Sequence, residues 1–228
     1  MMKQSVLVVA LFFISSCSPG GLFQQDPSRP MTYTETRATG DVVESLIRYF
    51  QKNHPDVAGA LRPPVSATAL DQFETKVGRP LPQDFRVLYL SANGQKSGSL
   101  PVLLNGYELL SLEEIEIHWL RLKSSPINMA GAEMPSRRSR GPVRDFWWHP
   151  MWIPFAKTAQ GDYYCLDLFP SRRGRIGQVI EFRKDDVLRR HKGFSVNDFL
   201  GEYESGLKSG RYSWNPDLKM FLGRRNRK

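Results

Sequence analysis

Two cysteines in 228 residues, Cys17 and Cys165, exclude a disulfide-stapled scaffold and a cysteine-rich metal site. The longest uncharged apolar run, residues 6–14, is well short of the roughly 20 residues that span a bilayer. HExxH, CxxC, the phosphate-binding P-loop and the GxSxG nucleophile elbow are all missing, so the familiar metalloprotease, redox, nucleotide and hydrolase signatures are absent. Internal repeats are absent too. Acidic residues are in short supply: 23 against 32 lysines and arginines, a formal net charge of +9. Apolar residues at 40 % and five tryptophans exclude global disorder and provide for one substantial core.

Lys3, then VLVVALFFI at residues 6–14, then Ser15-Ser16-Cys17 has the order of a secretory leader: a positive start, a short apolar stretch and small residues. Ile14-Ser15-Ser16-Cys17 resembles the bacterial lipoprotein lipobox. That resemblance implies acylation of Cys17 and cleavage before it. Several acyl chains at about 0.8 kcal/mol per buried methylene make a stable anchor. Ser18 after the cysteine points, by analogy with lipoprotein sorting, to the outer membrane and a domain facing the periplasm. Cys165 is then the sole remaining thiol, which cannot close an internal disulfide.

The expected organisation is a leader at 1–16, a flexible tether at 17–40 rich in Ser, Pro, Gly and Gln, a domain at 41–210 and a basic tail at 211–228. Asp41 with Glu44 reads as a capping box opening a first helix with Val43, Leu46, Ile47 and Phe50 at helical spacing. A second helix at 67–77 carries Leu70, Phe73 and Val77 and stops at Gly78. A third follows Pro82 with Phe85, Leu88 and Tyr89. Residues 102–104 and 107–110 read as strands around Asn105-Gly106. Ser111 with Glu114 caps the next helix. Residues 123–144 read as a basic surface loop. Strands follow at 151–156, 162–168 and 178–182, and Ser195 with Asp198 opens a last helix ending at Gly210. Helices, then strands, then a helix is an α+β order with a central, mostly antiparallel sheet.

LPQDFRVLYLSANGQ, WIPFAKTAQGDYYCLDLFP, GQVIEF and FSVNDFL, in that order, resemble the SUKH superfamily of yeast cell-wall assembly regulators and bacterial immunity proteins. The resemblance covers residues 41–210. It implies a single α+β domain used for binding, with no shared catalytic constellation and no cofactor, and a bacterial role in toxin capture.

Residues with reactive side chains have plainer readings. Glu114 and His118, one helical turn apart, could present two metal ligands, but no third ligand is placed with them, and a solvated helix face explains them. Ser205-Gly206-Leu207-Lys208 spells SxxK at a helix end without the companion motifs of penicillin-recognising enzymes. His149 sits among aromatics, and Cys165 has the position of a buried structural thiol. No metal site and no enzyme are expected. The partner-binding candidates are Arg137, Arg138, Arg140 and Arg144 with Trp147 and Trp148, because Arg and Trp are enriched at interface hot spots. In an envelope setting the positive charge suits a protein or anionic surface, and no nucleic acid is expected. The first expectation is a lipid-anchored immunity protein that neutralises a toxin by stoichiometric binding. The alternative is an envelope assembly lipoprotein binding a wall component or a resident protein.

Overall fold

Apolar residues at helical spacing in the first part of the chain build four helices: α1 (Tyr33–Asn53), α2 (Pro55–Gly59), α3 (Ala67–Val77) and α4 (Gln83–Ser91). They come from a computed structural model describing residues 33–98, 103–125 and 141–223, with side chains described from residue 42. The leader, Cys17 and residues 17–32 of the expected tether lie outside the described residues. Helix α1 starts eight residues before Asp41, so Asp41 lies inside it and does not cap it, and residues 33–40 are helix where a tether is predicted. No proline falls between Pro30 and Pro55, and a long helix absorbs the roughly 1 kcal/mol that Gly40 costs. Val43, Leu46 and Phe50 form its buried stripe. In α3 the Ser66 hydroxyl accepts from the Ala69 amide at 3.1 Å, and Gly78 ends the helix at φ +76°. Leu70, Phe73 and Val77, then Phe85, Leu88 and Tyr89 of α4, are buried at their predicted spacing.

The sheet follows. Strand β1 (Glu108–Leu109) precedes α5 (Leu112–Ser124), and then come β2 (Trp152–Lys157), β3 (Tyr163–Asp167), β4 (Gln178–Phe182) and β5 (Arg190–Gly193). The five strands lie in sequence order, each antiparallel to the next. This is the expected α+β fold with a mostly antiparallel sheet. β5 is an addition to the predicted strands: Arg190-His191-Lys192-Gly193 is too polar to announce a strand, and it is one because it occupies the sheet edge. At Asn105-Gly106 the chain turns with both φ positive, and Leu104 bridges to Tyr107, the pattern an Asn-Gly hairpin turn requires. Ser111 caps α5 in a complete capping box with Glu114. That helix runs to Ser124, into the predicted loop at 123–144, most of which lies outside the described residues.

Both faces of the sheet are covered, so all five residues of β3 are buried. On one face Phe155 meets Phe85 of α4 and the Phe199 ring, which also packs on Tyr164. On the other, Trp148 stands edge-on to Trp152 and Phe182, and His118 of α5 meets Tyr163.

Helix α6 (Val196–Lys208) closes the domain, and β6 (Tyr212–Asn215) pairs with β7 (Met220–Gly223) beyond it. Residues 212–223, predicted as basic tail, are therefore a hairpin belonging to the core. Phe221 is 1 % exposed and packs on Phe50, His54 and Trp214. Bonds between distant segments lock this layer. The Asp84 carboxylate accepts from the amides of Phe85 and Asn197 and so holds the start of α6. The Ser45 hydroxyl donates to Glu204, which also pairs with Lys208 at 2.7 Å. Gly94 has φ +69°, and a Cβ there would lie 2.4 Å from the Leu110 backbone, so this crossing admits glycine alone. Among the described residues no helix is long and apolar enough to cross a membrane.

Candidate functional site

Of the predicted Arg/Trp surface, Arg144, Trp147 and Trp148 are among the described residues. Trp148 is fully buried in the core, which removes it as a contact residue: it is the inward member of consecutive tryptophans at the sheet face. Trp147 is half-buried. Its carbonyl accepts from Arg189 Nε and Nη2, and the guanidinium lies 4.9 Å from its ring. Burial lowers the pKa of that guanidinium to about 10. Arg144 is occupied as well. Its Nε donates to the Pro170 carbonyl at 2.9 Å and its guanidinium lies 4.0 Å over Phe169. Arg137, Arg138 and Arg140 lie outside the described residues.

The other reactive residues are accounted for locally. Glu114 Oε2 accepts from the Ser111 amide at 2.9 Å, so its carboxylate serves the helix cap. His118 Nδ1 lies 3.1 Å from the Tyr163 hydroxyl and 3.1 Å from Arg121, whose guanidinium donates to the same hydroxyl at 2.6 Å. Burial, then Lys157 and Arg121, pushes the His118 pKa down to about 4. His149 stacks on Phe169 at 4.5 Å and accepts from the Met151 amide. Cys165 is buried, and burial pushes its thiol up, away from reactivity. Ser205 and Lys208 sit in the last turns of α6, with Lys208 tied to Glu204. Among the described residues no group of three His, Cys, Asp or Glu side chains is placed to hold a metal.

A recess of about 60 Å³ lies where β3, β5, α6, β6 and the Asn105 turn meet. Each wall has a local cause. The Asn105 turn is fixed by its positive φ and by Gly223, whose amide donates to Asn105 Oδ1 at 3.1 Å. Tyr203 stands in α6 with its hydroxyl donating to the Leu103 carbonyl at 2.6 Å. The edge of the Tyr212 ring abuts Gly206, where a Cβ would come within 2.4 Å of it, so a bare helix turn is what seats it. Tyr164 forms part of the floor, stacked on Tyr107 at 3.8 Å, while the Tyr107 hydroxyl donates to Glu181. Burial, then Glu181, raises the Tyr164 pKa, so the phenol keeps its proton. Lys192 of β5 reaches across with its ammonium 5.7 Å from the Tyr164 centroid, and Glu202 stands nearby, 3.4 Å from Arg211. Sequence reading missed this recess because its walls come from five separate segments. The alternating aromatics Tyr212 and Trp214 before Asn215-Pro216-Asp217 were the available signal for the hairpin that supplies one of them.

Fold and recess define an α+β domain with a small aromatic-walled hollow beside its edge strand. The chain belongs to the SMI1/KNR4 family (SUKH-1), whose model matches residues 64–202. It is 29 % identical over 191 residues to the cell wall biosynthesis/cell cycle regulator smi1 of Schizosaccharomyces pombe, covering 77 % of this chain and 38 % of that one. It is 26 % identical over 208 residues to the glucan synthesis regulatory protein of Neurospora crassa, covering 76 % of this chain and 39 % of the relative. A KNR4/SMI1 homolog of Yarrowia lipolytica is 23 % identical over 189 residues, 62 % of this chain and 26 % of its own length. The chain thus spans less than two fifths of the length of these relatives.

Proposed function

We propose that this protein is a non-enzymatic regulator of cell-envelope or wall assembly that works by binding another protein, held at a membrane by acylated Cys17. The observation that carries the reading is the likeness, across the family domain, to proteins named as regulators of wall biosynthesis and glucan synthesis. That likeness favours the assembly role over toxin capture. The anchor rests on the leader pattern at residues 3–17. In support of a binding role, Cys165 is buried, His118 and His149 are engaged by local partners, and the recess offers polar recognition groups.

The test is genetic and biochemical together. A strain lacking the protein is expected to show altered wall polymer composition, restored by the full chain. The tagged full chain is expected to retain a protein of the wall-building machinery from an envelope extract. Unchanged wall composition together with no retained wall-assembly protein overturns the reading.

A further inference from the structure

The recess is donor-rich. Lys192 has no carboxylate partner among the described residues, whereas Arg190 on the same strand is held by Asp186 at 2.8 Å. The hydroxyls of Tyr164 and Tyr212 make no hydrogen bond to another described residue. Asn105 uses its side-chain oxygen on Gly223, which leaves its amide group to donate. The acidic lining residue, Glu202, stands at the exposed rim beside Arg211. The buried Tyr164 phenol keeps its proton and so can donate. An ammonium and phenol or amide donors around a hollow of about 60 Å³ match a small planar anion, since charge-assisted bonds to a carboxylate are the strong ones.

We propose that this recess captures a single carboxylate, the side chain of an acidic residue on the partner protein, with Lys192 as its counter-ion. The proposal rests on the protein-binding reading above and supplies its recognition chemistry. Lys192 bears the charge, Tyr164, Tyr212 and Asn105 orient the two oxygens, and Glu202 sets an upper limit on affinity by repelling the ligand from the rim. The position beside an edge strand suits the purpose: a partner segment reaches the recess from the open side of β5 without displacing a helix.

The isotopically labelled full chain is titrated with acetyl-Ala-Glu-Ala-amide, its Gln counterpart and glucuronic acid, following backbone amide signals. The Glu peptide is expected to shift the signals of Asn105, Lys192 and Tyr212 saturably. The Gln peptide is expected to bind about tenfold more weakly, the usual loss when an ionised hydrogen-bond partner is replaced by a neutral one. Lys192→Met weakens the Glu peptide by about tenfold, and Glu202→Gln tightens it by about two- to threefold because a like charge is removed. Both side chains are exposed, and an unchanged urea midpoint verifies each fold. Equal binding of the Glu and Gln peptides, or indifference to Lys192→Met, overturns the proposal. Tighter binding of glucuronic acid than of the peptide also overturns it, by making the recess a saccharide site. If the wild type retains a wall-assembly protein and Lys192→Met retains it equally, the recess proposal falls and the binding role stands. If the wild type retains none and the Glu peptide still binds, the carboxylate site stands and the assembly role falls.

Discussion

Asp167→Asn should change the shape of the stability–pH profile more than its height. Asp167 is buried, with Oδ1 accepting from Trp152 Nε1 and the Phe169 amide and Oδ2 accepting from Gln178 Nε2 at 2.8 Å. Burial outweighs these bonds and raises its pKa from 3.8 to about 6. A carboxyl with a raised folded-state pKa binds its proton more tightly when folded. Its contribution is present below pH 3.8 and is lost as pH rises through 6, and at about 1.4 kcal/mol per pH unit the loss is ~3 kcal/mol. Asparagine lacks this titration. It also turns an amide toward Gln178, whose own amide is pinned by the Pro142 carbonyl and the Arg175 amide, at a cost of about 1–3 kcal/mol that does not vary with pH. His118 titrates in an overlapping window with the opposite sign, because its lowered pKa makes stability rise with pH from about 4 to 6.5, but it is present in both proteins and cancels in the difference. Urea denaturation followed by tryptophan fluorescence, from pH 4 to 7.5, measures that difference. The variant should gain on the wild type by up to ~3 kcal/mol between pH 4 and 7. Parallel profiles would refute the argument.

Three further outcomes concern the core, the hairpin and the leader. Phe85→Ala, removing a fully buried ring packed on Tyr89 and Phe155, should cost about 3–5 kcal/mol by chemical denaturation. Phe221→Ala should cost about as much, because the ring fills the space between Phe50, His54 and Trp214; a loss below about 0.5 kcal/mol would return residues 212–223 to the status of a tail. Cys17→Ser should abolish incorporation of a fatty-acid probe in cells, and equal labelling of both forms removes the lipid anchor from the proposal.

Periodicity and caps made α3, α4, α5 and α6 readable, because each has its own start or stop signal and buries a single stripe, as with Ser66 and Gly78 or Ser111 and Glu114. Strands β2 to β4 were readable as apolar runs of the right length. The legible part ended where burial depends on a distant segment. Arg190-His191-Lys192-Gly193 carries no apolar alternation and is a strand through its pairing with β4. Trp147 and Trp148 are chemically alike in sequence, and only the path of the chain over the sheet sends one inward and leaves the other half-buried under Arg189. The recess is the extreme case, drawing on residues from Asn105 to Tyr212.

The meander of β2 to β5 joins neighbours in sequence, whereas the ties that hold the helices and the β6–β7 hairpin span great lengths of chain: 159 residues from Ser45 to Glu204, 113 from Asp84 to Asn197, 118 from Asn105 to Gly223. Contacts between near neighbours form at low loop-closure cost, and remote ones wait for the chain ends to meet. The sheet is therefore expected to form early and to exchange slowly, and α1 with the β6–β7 hairpin is expected to open at a lower free energy, which amide hydrogen exchange would measure. Tyr212 and the Gly223–Asn105 bond belong to that hairpin. A local opening of the hairpin would thus remove one wall of the recess while β2 to β4 stay paired, widening an approach already open beside β5.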